Sequence, residues 1–159
     1  MNSELFQNIP LELRSLNQWV CCIADKNLKQ IDGRQADTSK PNTWNTFEAC
    51  VSAIGTNNLI GIGFVLTKND PYFIIDLDKT QSDAKRISVH QSIHDKFDCY
   101  SELSLSGNGC HIVGKGECTE LEDGKRGFNN KDWGVECYSS GHYLIFTGRI
   151  LNNKPIYNS

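Results

Sequence analysis

The spacing of apolar and polar positions changes several times along the chain. Ile9, Leu13 and Leu16 in "IPLELRSL" fall on one side of a short helix. "NQWVCCIA" then reads as a strand from Gln18 to Ile23. Residues 25–44 are polar, with Gly33 and Pro41, and read as a long loop of the kind that often carries function. Asn45 with Glu48 three residues on forms a capping-box pattern that opens a helix to about Ile54. "LIGIGFVL" and "YFIIDLD" are strands, and the short link Thr67–Pro71 between them predicts a hairpin. Val89, Ile93 and Phe97 recur at helical spacing in "SDAKRISVHQSIHDKF". "YSELSLS" and "GCHIVGK" are strands around the turn "SGNG". Residues 116–131 are polar and predict a mobile loop, and "WGVECYSSGHYLIFTG" predicts a hairpin turning at Gly141. The tail from Arg149 to Ser159 carries little signal. Two or three helices and about seven strands place the chain in the α+β class, with a mainly antiparallel sheet covered by helices.

Composition narrows this picture. The 159 residues fit one domain, 1–159. A chain of this size buries roughly 68–70% of its unfolded surface and needs no disulfide or metal staple. It is 38% hydrophobic and 22% charged, which is a globular rather than a disordered composition. No apolar run reaches the roughly 20 residues of a membrane span. "MNSELFQNIP" lacks a basic stretch followed by an apolar one, so the expected location is cytoplasmic. The seven cysteines are scattered without a C-x-x-C pair, which points to reduced thiols rather than a zinc site. A net charge of −3 argues against a module that grips nucleic acid through a basic field. An enzyme that meets nucleic acid through a metal-filled acidic site remains compatible with it.

The candidate chemistry starts in "YFIIDLD". Phe73, Ile75 and Leu77 point to one face of the strand; Tyr72, Ile74, Asp76 and Asp78 point to the other. Two carboxylates about 7 Å apart on a half-buried strand repel unless a cation joins them. Hard oxygen ligands suit Mg²⁺ or Mn²⁺. A strand end with two solvated acids would look the same, so further ligands are needed. In the predicted second hairpin, a Ser139–Gly141 turn makes Glu136 and His142 diagonal neighbours on one face. His111, Val113 and Lys115 share a face of "GCHIVGK", and the preceding Ser106–Gly109 turn offers backbone N–H groups to an anion. A tight turn beside a satisfied histidine and a surface lysine is the plainer reading of that segment. Taken together, three acids, two histidines, a lysine and a glycine-rich turn suit metal-dependent phosphoryl or nucleotidyl transfer.

"IPLELRSLNQWV", "ADTSKPNTWNTFEAC", "GIGFVLTKNDPYFIIDLD", "SELSLSGNGCHI" and "GVECYSSGHYLIFTG" occur in this order from about Ile9 to Gly148. The succession resembles bifunctional primase–polymerase domains of the archaeo-eukaryotic primase superfamily, found at the N-terminus of phage and plasmid replication proteins. The resemblance implies an RNA-recognition-motif-like catalytic core with an N-terminal α/β unit. It implies that Asp76, Asp78 and Glu136 are the catalytic acids and hold two Mg²⁺ or Mn²⁺ ions. It assigns Gly109, His111 and His142 to the incoming nucleotide, and the chemistry of the turn and of the strand after it adds Ser106, Gly107 and Lys115. The implied function is primer synthesis or DNA extension from NTPs or dNTPs on a single-stranded or primed template, with a replicative helicase as a further partner and no membrane. A nucleotide-binding replication module without catalysis, and a metal-dependent phosphoesterase or nuclease, are the alternatives. Three departures stand out. "DKNLKQIDGRQAD" has Gly33 but no proline before it. Leu105 replaces a proline common in relatives. The sequence also ends soon after Gly148, where relatives continue into a helical segment and a helicase, so the expectation is a domain lacking that region.

Overall fold

The computed structural model describes residues 3–119 and 127–157. Among them are three α-helices and ten strands in two sheets. The chain gathers into two compact units: Met1–Val65 with His142–Gly148, and Leu66–Gly141 with Arg149–Ser159. No helix among the described residues is long and apolar enough to cross a membrane.

The first unit contains α1 (Leu11–Arg14), β1 (Trp19–Cys22), β2 (Leu28–Lys29), α2 (Phe47–Ala53), β3 (Gly61–Leu66) and β9 (His142–Phe146). Its strands lie in the order β2-β1-β3-β9. Every residue of β1 and β3 is buried, as their unbroken apolar runs require. Trp19 is the hub. The rings of Phe47, Phe64 and Phe146 meet it edge-on at 5.1, 5.2 and 5.5 Å between centroids. Its indole N–H donates to the Leu13 carbonyl at 3.0 Å, so the buried polar edge is satisfied. Residues 25–44 hold more structure than their composition predicts: β2 pairs with β1, and Pro41–Thr43 forms a 3-10 turn. The N-cap of α2 is Thr46, whose Oγ1 accepts from the Ala49 N–H at 3.1 Å, rather than Asn45. Asn45 is occupied elsewhere, exchanging two backbone hydrogen bonds with Trp19.

The second unit contains β4 (Tyr72–Leu77), α3 (Ala84–Lys96), β5 (Tyr100–Leu103), β6 (Cys110–Lys115), β7 (Gly127–Asn130), β8 (Val135–Tyr138) and β10 (Ile150–Asn152). The order is β10-β5-β6-β4-β8-β7, with antiparallel pairing throughout. Both β4 and β5 run antiparallel to β6, so they are parallel to each other and α3 is the crossover of a split βαβ unit. Phe73, Ile75 and Leu77 of β4 join Ile112 and Val135 on one face of the sheet, against Val89 and Ile93 of α3 and Phe97 at its end. The helical spacing of those three residues and the alternation in β4 therefore match the packing.

The two hairpins expected at Thr67–Pro71 and Ser139–Gly141 do not form. β3 and β9 belong to the four-stranded sheet; β4 and β8 belong to the six-stranded one. Both short links are crossings between sheets. The Gly141 N–H donates to the Leu66 carbonyl at 3.0 Å, so the two crossings are tied together. The predicted loop 116–131 contains β7, while residues 120–126 lie outside the described part. The uninformative tail supplies β10, which pairs with β5.

Candidate active site

The register of the six-stranded sheet builds the site. Glu102 on β5 stands opposite His111 on β6, and His111 opposite Asp76 on β4. Asp76 stands opposite Glu136 on β8, and Glu136 opposite Asn129 on β7. Directly opposed residues share a face, with Cβ atoms roughly 5 Å apart. Five polar side chains thus form one row across five strands, on the face away from α3. Strand alternation puts Asp78 on the same face, just past the end of β4.

Each member of the row is held by its neighbours. Glu102 is fully buried, and Oε2 accepts from the Tyr100 hydroxyl at 2.8 Å. Burial, and then the Glu102 charge, push the Tyr100 phenol far above its ordinary pKa. Glu102 Oε1 lies 3.4 Å from His111 Nδ1. The two side chains share a hydrogen bond across β5 and β6. His111 Nε2 then lies on the other side, 3.8 Å from Asp76 Oδ1. Asp76 is 37% exposed, against 6% for the His111 side chain. On the far flank the Asn129 amide donates to Glu136 Oε1 at 2.8 Å. Cys110, beneath this row, has its thiol pushed up to about 12, first by burial and then by the charges of Glu102 and Asp76.

The loops around the row are fixed by groups that the sequence pattern does not announce. The Asp78 N–H donates to the Gly134 carbonyl at 2.8 Å, extending the β4–β8 ladder. Gly134 has φ +61°, and a Cβ there would lie 2.5 Å from the Asp78 carbonyl oxygen. Arg86, in the first turn of α3, donates to the carbonyls of Asp78, Lys131 and Asp132. His90 is buried and bridges the Thr80 hydroxyl (2.9 Å) and the Trp133 carbonyl (2.7 Å). Thr80 N–H in turn donates to the Asn108 carbonyl, tying the acid strand to the glycine-rich turn.

That turn is closed on itself. The N–H of Gly107 donates to the Ser104 carbonyl, that of Asn108 to Ser106 Oγ, and that of Gly109 to Ser104 Oγ. These three donors are therefore spent internally instead of forming an open anion cradle. Arg149 adds a cation behind the turn, donating to the Ser104 and Leu105 carbonyls. Gly109 packs against the acid strand: a Cβ there would lie 2.5 Å from the Leu77 carbonyl oxygen.

Not every expected residue joins the row. Lys115 lies four residues along β6 from His111, opposite Tyr72, with its ammonium 6.0 Å from that ring's centre. Four strand residues span about 13 Å. His142 begins β9 in the other sheet, stacked on Tyr143, so the cross-hairpin pairing with Glu136 is absent. Among the described residues no three His, Cys, Asp or Glu side chains form a ready-made metal cluster. The donor chemistry of Asp76, Asp78 and Glu136 nevertheless suits a hard divalent ion. Magnesium sites commonly use one or two carboxylates and complete their shell with water and substrate phosphates.

No family model matches the chain. Over 143 residues it is 29% identical to the DNA primase-polymerase of Nitratiruptor phage NrS-1, an alignment covering 86% of this chain. The match supports a primase–polymerase domain. It covers 20% of the phage protein, so the chain spans about a fifth of that relative's length. A cavity of about 480 Å³ lies on the α3 side of the sheet. Its lining of Phe73, Ile75, Phe97, Phe128, Cys118 and Cys137 holds none of the row's acids.

Proposed function

We propose that the second unit is a metal-dependent nucleotidyltransferase that joins nucleotides to a primer or to a first nucleotide. One observation carries the reading: Asp76 stands between Glu136 and His111 in a single cross-strand row, with Asp78 two residues on. Asp76, Asp78 and Glu136 would hold Mg²⁺ or Mn²⁺. When bound, such ions favour ionisation of the attacking hydroxyl and neutralise the leaving pyrophosphate. The protein's own residues supply positioning. Ser106 and His111 face the nucleotide phosphates, with Glu102 holding His111 in one orientation. Asn129 holds Glu136, and Arg86 with His90 holds the loops that carry Asp78 and precede Glu136. In the reaction a hydroxyl oxygen bonds to the α-phosphorus as the bond to pyrophosphate breaks, and the hydroxyl proton passes to water. The split βαβ order of β4, α3, β5 and β6, with β8 beside β4, supports the RNA-recognition-motif-like core.

The test is primer extension and de novo priming with Mg²⁺ and with Mn²⁺. Wild-type chain should incorporate nucleotides. Asp76→Asn, Asp78→Asn and Glu136→Gln should each reduce incorporation by about 100-fold or more while keeping the circular dichroism of the fold. Absence of incorporation with both metals in folded wild-type chain would sink the reading. The dispersed acids favour one second reading, a nucleotide-binding module without turnover. Calorimetric nucleotide binding with no incorporation would identify it.

A further inference from the structure

A polar cavity of about 420 Å³ opens beside the acids, lined by Asp78, Lys79, Ser82, Arg86, Lys131 and Glu136 among others. Neither lysine is assigned by the reading above. Both are exposed, and among the described residues neither ammonium is engaged by a carboxylate. Their backbones are pinned. Lys79 follows Asp78 directly with φ +53°, and its carbonyl accepts from the Ser82 N–H at 3.0 Å. The Lys131 carbonyl accepts from Arg86 and from the Gly134 N–H. Arg86 adds a third cation, its Nε buried without a hydrogen-bond partner. The cavity thus combines two fixed anchor points with two free ammoniums. That arrangement contacts phosphates without reading sequence.

Its position relative to the row decides what it takes. His111 and the Ser106 turn lie on the β6 side of Asp76 and Asp78. The cavity lies on the β8 side, between the end of β4, the start of α3 and the β7–β8 turn. Phosphoryl transfer runs roughly in line, with attacking and leaving oxygens on opposite sides of phosphorus. With the nucleotide's phosphates toward β6, the attacking hydroxyl arrives from β8. We infer that this cavity seats the growing end of a nucleic-acid strand, with Lys79 and Lys131 on its backbone phosphates. The inference rests on the nucleotidyltransferase reading and adds the strand-binding side to it. In a chain of net charge −3, three cations gather beside two acids where a backbone would pass.

The test uses the full chain, a fluorescein-labelled primer–template with a recessed 3′ end, and anisotropy between about 50 and 200 mM salt. Compared with wild type, Lys79→Ala/Lys131→Ala should bind this DNA roughly tenfold more weakly. Its plot of log affinity against log salt should be shallower by about 0.7–0.9 for each lysine lost. Calorimetric affinity for a dNTP should stay within about twofold, and the Lys→Arg pair should restore DNA binding, as expected of phosphate contacts. A fall in dNTP affinity instead would assign the lysines to the triphosphate and overturn the inference. So would unchanged DNA affinity, or no DNA binding by wild type across this salt range. Nucleotide incorporation is scored separately: its absence beside lysine-dependent DNA binding overturns the catalytic reading and leaves the strand site standing.

Discussion

Glu102 and His111 face each other across β5 and β6, with Oε1 of the buried acid 3.4 Å from Nδ1 of the imidazole. The pairing decides which ring nitrogen meets Asp76. Removing the acid while keeping its shape should release that choice. Glu102→Gln should fold, and ¹⁵N spectra should show His111 sampling both tautomers. Incorporation should drop roughly tenfold, the cost typical of losing a carboxylate that orients a functional histidine. Glu102→Ala is a harsher change. It strands the buried Tyr100 hydroxyl as well, and urea denaturation should show a loss of about 3–4 kcal/mol. Spectra of Glu102→Gln identical to wild type would show that Glu102 does not set the tautomer.

Much of this row is legible in the sequence. Alternation in residues 72–78 separates the core-facing Phe73, Ile75 and Leu77 from the acids because a strand's period is fixed by its geometry. The Ser104–Gly109 turn likewise announces that β5 and β6 pair. Carrying that register outward from the turn places Glu102 opposite His111, whereas alternation within β6 alone leaves Glu102 unnoticed. Strand partners are not legible. A short link such as Thr67–Pro71 suits a hairpin, and periodicity reports which face a residue takes but not which strand lies beside it. The link after Tyr138 misleads in the same way, and with it the pairing of His142 to Glu136. Arg86, His90 and Asn129 are beyond reach because their partners are carbonyls, a hydroxyl and a carboxylate brought near only by the fold.

Gly109 touches the strand that carries the acids more closely than any side chain permits. Substitution tests that contact, since Gly109→Ala puts a Cβ 2.5 Å from the Leu77 carbonyl oxygen and 3.1 Å from Ser104 Oγ. Backbone does not yield cheaply, so β4 and β6 must separate where Asp78 leaves the sheet. The expected cost is about 1–3 kcal/mol in urea denaturation, as for other overpacked sites. Incorporation measured well below the unfolding transition should fall further than the stability loss explains. Wild-type stability and activity in Gly109→Ala would mean that the close approach does not matter.

Cys118 and Cys137 place their sulfurs 3.0 Å apart, and Cys118 is partly exposed. The hydrogen bond between the two thiols is the main cause that lowers the Cys118 pKa to about 7. Burial raises Cys22 to about 11 and Cys110 to about 12. A thiolate forms as pH rises through the pKa, and the thiolate is the nucleophile. Alkylation of native protein by iodoacetamide should therefore reach Cys118 first, with a rate that climbs through about pH 7. Cys22 and Cys110 should remain unmodified at that pH. Cys137→Ala removes that hydrogen bond and should move the Cys118 inflection up toward the ordinary thiol range near about 8.5. Peptide mapping by mass spectrometry reads every site in one experiment. An inflection for Cys118 that stays put in Cys137→Ala would refute the hydrogen bond as its cause.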